Sequence, residues 1–292
     1  MRLFITTLII FLGSHQMLYS AEIFRFGLDI FTSEKNAYLL KDGISIEGEI
    51  EAGDYNRFIA SLSKIKDAGD LLYPAADRRV FEQLRAKNDI IRNSYLTVYL
   101  NSNGGDVMEA IKIGEEIRRL RLATEVYGEC HSACFFILAA GVKRYEGFPG
   151  MKISVHRPHF DYQEIKDMTS MEAEDIHKEM IEFTKDYLRE MFVAEELIEL
   201  IYRVPPDEAR PLTKTEYQKW VGWYQPFFED WLDAKCKHIE GLTPAEMEDW
   251  MSSAIDELPE GYKAYLFNKM SATRNCRNEA MRAEQLRLLA KE

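Results

Sequence analysis

The sequence lacks a phosphate-cradling loop of the G-x-x-x-x-G-K-[ST] kind, so a P-loop nucleotide hydrolase is excluded. It is short of basic residues: 37 Lys and Arg against 49 Asp and Glu give a formal charge of −12. An acidic surface of that size repels phosphate backbones, so no nucleic-acid partner is expected. There is no internal repeat and no low-complexity tract. Past the N-terminus no apolar run approaches the ~20 residues that cross a bilayer. The longest, from Ala133 to Val142, fits a buried helix. Hydrophobic residues make up 46% and charged residues 29% of the 292, which excludes wholesale disorder.

The start reads as an address label. Arg2 is followed by an apolar run from Leu3 to Gly13 that suits a secretory h-region, and Ser20-Ala21 offers a cleavage point. Residues 1–21 are therefore expected to be a signal peptide. The chain is expected to be exported to a bacterial periplasm or secreted, with the leader cleaved or kept as an anchor.

Export sets how the few cysteines read. Cys130, Cys134, Cys236 and Cys276 form an even set in a disulfide-permissive compartment, with three connectivities open. The simplest pairs near with near. Cys236–Cys276 would then close a loop of about 40 residues, stabilising by at most ~4 kcal/mol in the chain-entropy picture. Cys130–Cys134 would act locally, holding whatever lies between them.

Ile44 to Ile50 alternates as a strand and Asp54 to Leu62 reads as helix. Lys64 to Asn93 is charged and proline-interrupted, an insertion. Leu96 to Leu100 is a strand ending in a turn over Asn101-Ser102-Asn103-Gly104-Gly105-Asp106. Val107, Ile111, Gly114 and Ile117 follow at helical spacing. Ala123 to Gly128 is strand, Glu129 to Ser132 a turn, Ala133 to Ala140 helix and Met151 to His156 strand. Such alternation argues for an α/β architecture with parallel pairing. Beyond it the pattern turns helical. Thr169/Glu172 forms a capping box ahead of an apolar stripe at Ile176, Met180, Phe183, Tyr187 and Met191, and Thr213/Glu216 and Thr243-Pro244-x-Glu246 open further helices. The organisation expected is an α/β domain over 22–223 and a helical extension over 224–292, stapled by the distal cysteines.

Acyl transfer needs a nucleophile, a base, a group to orient the base, and amide donors for the oxyanion. Ser132 lies on a strand-to-helix turn, where the helix N-terminus favours developing negative charge and the Ala133 amide is free. Gly104-Gly105 lets backbone amides approach a substrate oxygen. His156 ends the strand after the Ser132 helix. Each also has a plainer role: a helix cap for Ser132, a turn for the glycines, a core histidine for His156. Cys130 or Cys134 could instead be the nucleophile, and His156, His159 and Asp161 a poor metal set.

The strings LNSNGGDVMEAIKIGEEIR, ECHSACFFILAAG and MKISVHRPHF resemble the Clp-type serine peptidase branch of the Clp/crotonase superfamily, over about residues 37–222. The resemblance implies a repeated ββα spiral, Ser132 as nucleophile and His156, 24 residues on, as base. It implies Gly104, Gly105 and Ala133 as oxyanion donors, a peptide or protein substrate, and a homo-oligomer. No metal, nucleotide or organic cofactor is implied, nor an ATPase partner after export. The family's third triad member aligns with Ala209; Asp207, or else Glu208, stands next to it. An exported serine peptidase is expected, an inactive peptide-binding or assembly module being the alternative and acyl-CoA chemistry a third.

Overall fold

Apolar residues in period two from Ile44 and from Val98, each followed by a helical repeat, build strands whose side chains are buried on both faces. The structure is a computed structural model that describes residues 22–31, 38–68, 95–147, 152–160, 165–252 and 257–291. The proposed signal peptide and most of the expected insertion lie outside the described residues.

Strands β1 (Glu22–Phe31) and β2 (Tyr38–Ile50) pair antiparallel; β3 (Thr97–Gly105) and β4 (Ala123–His131) then add in parallel. β5 (Lys143–Tyr145) pairs with the start of β4 and β6 (Lys152–Val155) with its end, both parallel. β7 (Arg210–Pro211) closes that side antiparallel to β6, giving the order β1-β2-β3-β4-β6-β7 with β5 beside β4. The fold is thus mixed α/β around a largely parallel sheet, as the alternation predicts.

Helix α1 (Asp54–Ala68) runs six residues past Leu62, into the segment expected as an insertion. α2 (Val107–Arg119) is capped by Asp106, which accepts from the Met108 and Glu109 amides. α3 (Cys134–Ala140) is buried at every residue, and each such large apolar side chain contributes about 1.5–3 kcal/mol. α4 (Ser170–Glu190) and α5 (Glu195–Arg203) follow, then α6 (Lys214–Trp220). The capping boxes at Thr169/Glu172 and Thr213/Glu216 both form.

Three expectations are corrected. Asn101 to Gly105 is not a turn but the end of β3, and β4 likewise continues through His131, because parallel neighbours go on pairing there. The stripe on α4 is buried only toward its C-terminal end: Tyr187, Leu188 and Met191 pack, while Ile176 and Phe183 stay exposed. A 21-residue helix is about 30 Å long, and only its last turns reach α3, where the Tyr187 hydroxyl donates to the Phe136 carbonyl at 2.9 Å.

The C-terminal helices α7 (Pro226–Cys236), α8 (Pro244–Met251) and α9 (Glu260–Leu289) form the expected extension. α7 and α9 pack together and are joined by Cys236–Cys276. They reach the sheet through a small core of Tyr95, Ala123, Val142, Phe228, Leu232 and Met281. Gln285 on α9 docks like an extra strand residue. Its amide accepts from Leu96 N (2.7 Å) and donates to Leu96 O (3.1 Å) and Arg121 O (2.8 Å).

Candidate active site

The ends of β3, β4 and β6 meet where the chain leaves each strand. β3 closes on Gly104 and Gly105, with φ of +99° and +131°, backbone that side-chain-bearing residues rarely adopt. Space demands glycine as well. A Cβ on Gly104 would stand 2.7 Å from both the His131 carbonyl oxygen and the Ser132 Cβ, and 3.0 Å from the Ala133 nitrogen. One on Gly105 would meet the Ile50 carbonyl oxygen at 2.1 Å. The Gly104 amide itself donates to the buried Ser102 hydroxyl at 3.1 Å.

β4 ends at His131, and α3 begins at Cys134. Between them Ser132 takes φ +53°, left-handed for a non-glycine residue, at a cost of about 1–2 kcal/mol. Its N–H donates to the Ser154 carbonyl at 3.1 Å, and its own carbonyl accepts from Phe135 N at 2.9 Å. Ala133, not Ser132, is the residue preceding the helix, and no side chain caps it. The plain cap role is therefore not the one Ser132 plays here. Among the described residues the Ala133 N–H meets no acceptor.

The turn is bridged by Cys130–Cys134, Cα atoms 5.3 Å apart, both residues buried. Cys130 lies in a strand, so the bond runs from strand to helix and is not a helical i,i+4 pair. Both near pairs are bonded and no cysteine is free, which removes the cysteine-nucleophile alternative.

His156 directly follows β6. Burial, and then the neighbouring His159, lower its pKa below the ordinary histidine value, so the ring stays neutral more readily. Its Nδ1 is buried without a hydrogen-bond partner among the described residues. No hydrogen bond joins its ring to the Ser132 Oγ; such contacts in unliganded sites tighten when substrate binds. Neither Asp207 nor Glu208 bonds His156; both side chains are exposed, after a turn in which Glu208 N donates to Pro205 O. β6 and β7 pair Val155 with Arg210, and His156 and Ala209 are the residues that follow and precede that pair along the chain. The structure thus gathers Gly104, Gly105, Ser132 and Ala133 at one turn and, among the described residues, sets no carboxylate in hydrogen-bond contact with His156. His159 lies with its ring 6.0 Å from that of His156, and Asp161 lies outside the described residues.

One group escaped the sequence reading. His131 Nδ1 shares a 2.5 Å hydrogen bond with the Ser154 hydroxyl, and its Nε2 lies 3.1 Å from Glu129. Lys152 donates to Glu129 at 2.8 Å, and Lys152 first, then His131, hold the Glu129 carboxyl below its usual range. This chain ties β4 to β6 beside the Ser132 turn. The Glu129-x-His131 spacing, which puts both on one face of a strand, was the available signal.

Fold and turn define an α/β protein with a serine held on a strained strand-to-helix turn against a glycine pair. A Clp protease family model, described as Clp protease, matches residues 56–198, from α1 to α5. Among solved structures, a point mutant of ClpP1 from Listeria monocytogenes is similar at 19% identity, covering 62% of this chain and 88% of that one with a TM-score of 0.43. No curated protein matches the chain.

Proposed function

We propose that the chain is an exported, ATP-independent serine peptidase that hydrolyses peptide bonds through an acyl-enzyme. One observation carries the reading: Ser132 is left-handed on a strand-to-helix turn, with Gly104 pressed against it and the Ala133 amide unclaimed. That is where a nucleophile and an oxyanion donor are needed together. The Clp protease match over the same residues supports it. Ser132 attacks the carbonyl and His156 takes and returns the proton; Ala133 N–H and an amide of the Gly104–Gly105 pair hold the oxyanion. Since Gly104 N–H is engaged by Ser102, Gly105 is the donor of that pair. Asp207 orients His156 after a shift of its loop. The working state is a homo-oligomer acting on peptide or protein substrates. Export rests on the Leu3–Gly13 run, and the intact mass of chain recovered outside the cytoplasm tests it: loss of about residues 1–21 supports export, and a full-length cytoplasmic chain opposes it.

Fluorophosphonate labelling of the oxidised protein, with mass spectrometry to place the adduct, tests the chemistry. An adduct on Ser132, lost in Ser132→Ala and in His156→Ala, is the expected result. Folded protein that takes no label overturns it and favours a second reading, a peptide-binding module on the same fold. The His156 Nδ1, without a hydrogen-bond partner among the described residues, is the observation behind that alternative.

A further inference from the structure

A cavity of about 360 Å³ opens where the C-terminal helices meet β5, within the size range of small-molecule sites. Among the described residues, its walls apart from Lys143 and Tyr145 come from beyond the family match. Among the described residues its lining carries three cations, Lys143, Arg274 and Arg277, and no carboxylate, in a chain with a formal charge of −12. Opposite signs would be the default on so acidic a surface, so the clustering defines a local positive field.

The three cations differ in what already balances them. Arg277 lies 3.2 Å from Asp233 and 3.6 Å from Glu229, both on α7, and its guanidinium stacks on Tyr224. Lys143 is buried with its ammonium over the rings of Tyr95, Tyr145 and Tyr224. Arg274 pairs with no carboxylate among the described residues; its one hydrogen bond is a long 3.5 Å contact to Ser271. Its Nε, like that of Arg277, is buried without an acceptor among the described residues, the kind of unmet donor that calls for an explanation. Arg274 is thus a planar guanidinium with one uncompensated charge on a cavity wall.

The rest of the wall is apolar or weakly polar. Leu242 and Met270 line it and Met247 stands half-exposed, while the Tyr145 and Tyr224 hydroxyls, whose pKa values burial raises, remain neutral donors. The cross-link from Cys276, between the two arginines in sequence, to Cys236 holds this wall to α7. We propose that the cavity binds a monocarboxylate with an apolar body, its head on Arg274 and its body among the methionines and tyrosines. A guanidinium fork matches a planar carboxylate in two parallel hydrogen bonds, and one unbalanced cation matches one negative charge.

Such a carboxylate has two sources, a free small acid or the C-terminus of a peptide. The test titrates the full, oxidised chain by calorimetry with phenylbutyrate, phenylbutanol and phenylbutylamine, and with Ala-Leu-Phe as free acid and as amide. The acids are expected to bind at one site, about tenfold or more tighter than the alcohol, amine and peptide amide. Arg274→Gln should weaken the acids about tenfold and leave the alcohol unchanged, whereas Arg274→Lys should recover part of the loss. The stronger of the two acids identifies the source. Labelled methionine methyl groups give a readout that needs no variant: Met247 and Met270 signals should shift with phenylbutyrate in the unaltered protein. Equal binding of acid and alcohol, silence of both methionines, or acid binding indifferent to Arg274→Gln in folded protein overturns the proposal. None of these outcomes depends on whether Ser132 is a nucleophile.

Discussion

Gly104 and Ser132 are packed so closely that a methyl group on the glycine would stand 2.7 Å from the serine Cβ. With φ at +99° the added group would also be strained in place. Gly104→Ala is therefore expected to cost about 2 kcal/mol or more and to displace the turn. Urea unfolding reads the first effect and fluorophosphonate labelling the second. An alanine variant as stable as the parent would contradict the packing.

Ser132→Gly should behave oppositely for stability. Glycine adopts φ +53° freely, so the variant should gain about 1 kcal/mol, while Ser132→Ala keeps the strained backbone and gains little. Thermal unfolding of the two variants side by side checks this. Equal midpoints would mean that the turn stores no strain at Ser132.

Ala209→Asp adds a carboxyl next to Arg210, which pairs with Val155 beside His156, whose Nδ1 has no partner among the described residues. In a serine triad the acid orients the histidine and is worth up to about ten-thousandfold in rate, so even an imperfect geometry should speed labelling of Ser132 by roughly tenfold. Asp207→Asn should slow it if Asp207 serves in the parent chain. An Ala209→Asp protein labelled no faster would say that an acid is not what the site needs.

The histidine also predicts a pH dependence. Burial and His159 make the folded chain reluctant to protonate His156, whereas the unfolded chain takes that proton near the ordinary pKa of about 6.5. The contribution is whole above that pH and is lost as pH falls from there through the lower, folded-state pKa. Between about pH 7.5 and 5.5 the parent should lose more stability than His156→Gln. Equal losses would remove His156 from the account.

Arg144 is buried and, among the described residues, donates only to backbone: Nη1 to Ala139 O (3.2 Å) and Met191 O (2.7 Å), Nε to Gly222 O (3.3 Å), and Nη2 to Val221 O. Burial pushes its pKa down to about 10, so it remains charged at neutral pH. Arg144→Met leaves four carbonyls without this donor and should destabilise by about 3 kcal/mol or more, read by urea unfolding.

What could be read from the sequence was what depends on neighbours along the chain. Thr169/Glu172, Thr213/Glu216 and Thr243/Glu246 form the capping boxes their three-residue spacing announces. The all-buried α3 follows from its unbroken apolar run. Near-with-near cysteine pairing is the one that forms. What escaped depends on tertiary partners. No pattern in the stripe from Ile176 to Met191 says that only its end meets another helix. Gln285 finds the Leu96 backbone 189 residues away, and Arg144 finds the Gly222 carbonyl 78 residues on. At the candidate site the glycine pair and the serine turn were legible as a spacing. The left-handed φ of Ser132, the Ser102 hydroxyl on Gly104 and the Glu129–His131–Ser154 chain were not, because each is set by how β3, β4 and β6 align.

The Cys236–Cys276 cross-link has a mechanical consequence. It bypasses a stretch of 40 residues, so a load applied at the C-terminus travels through the sulfurs to α7 without tightening the chain between them. Those residues are slack, up to about 140 Å of contour when drawn straight. A reductant would release that length in a single-molecule pull as one added increment, and a protease nick within the loop would leave both pieces travelling as one until the bond is opened.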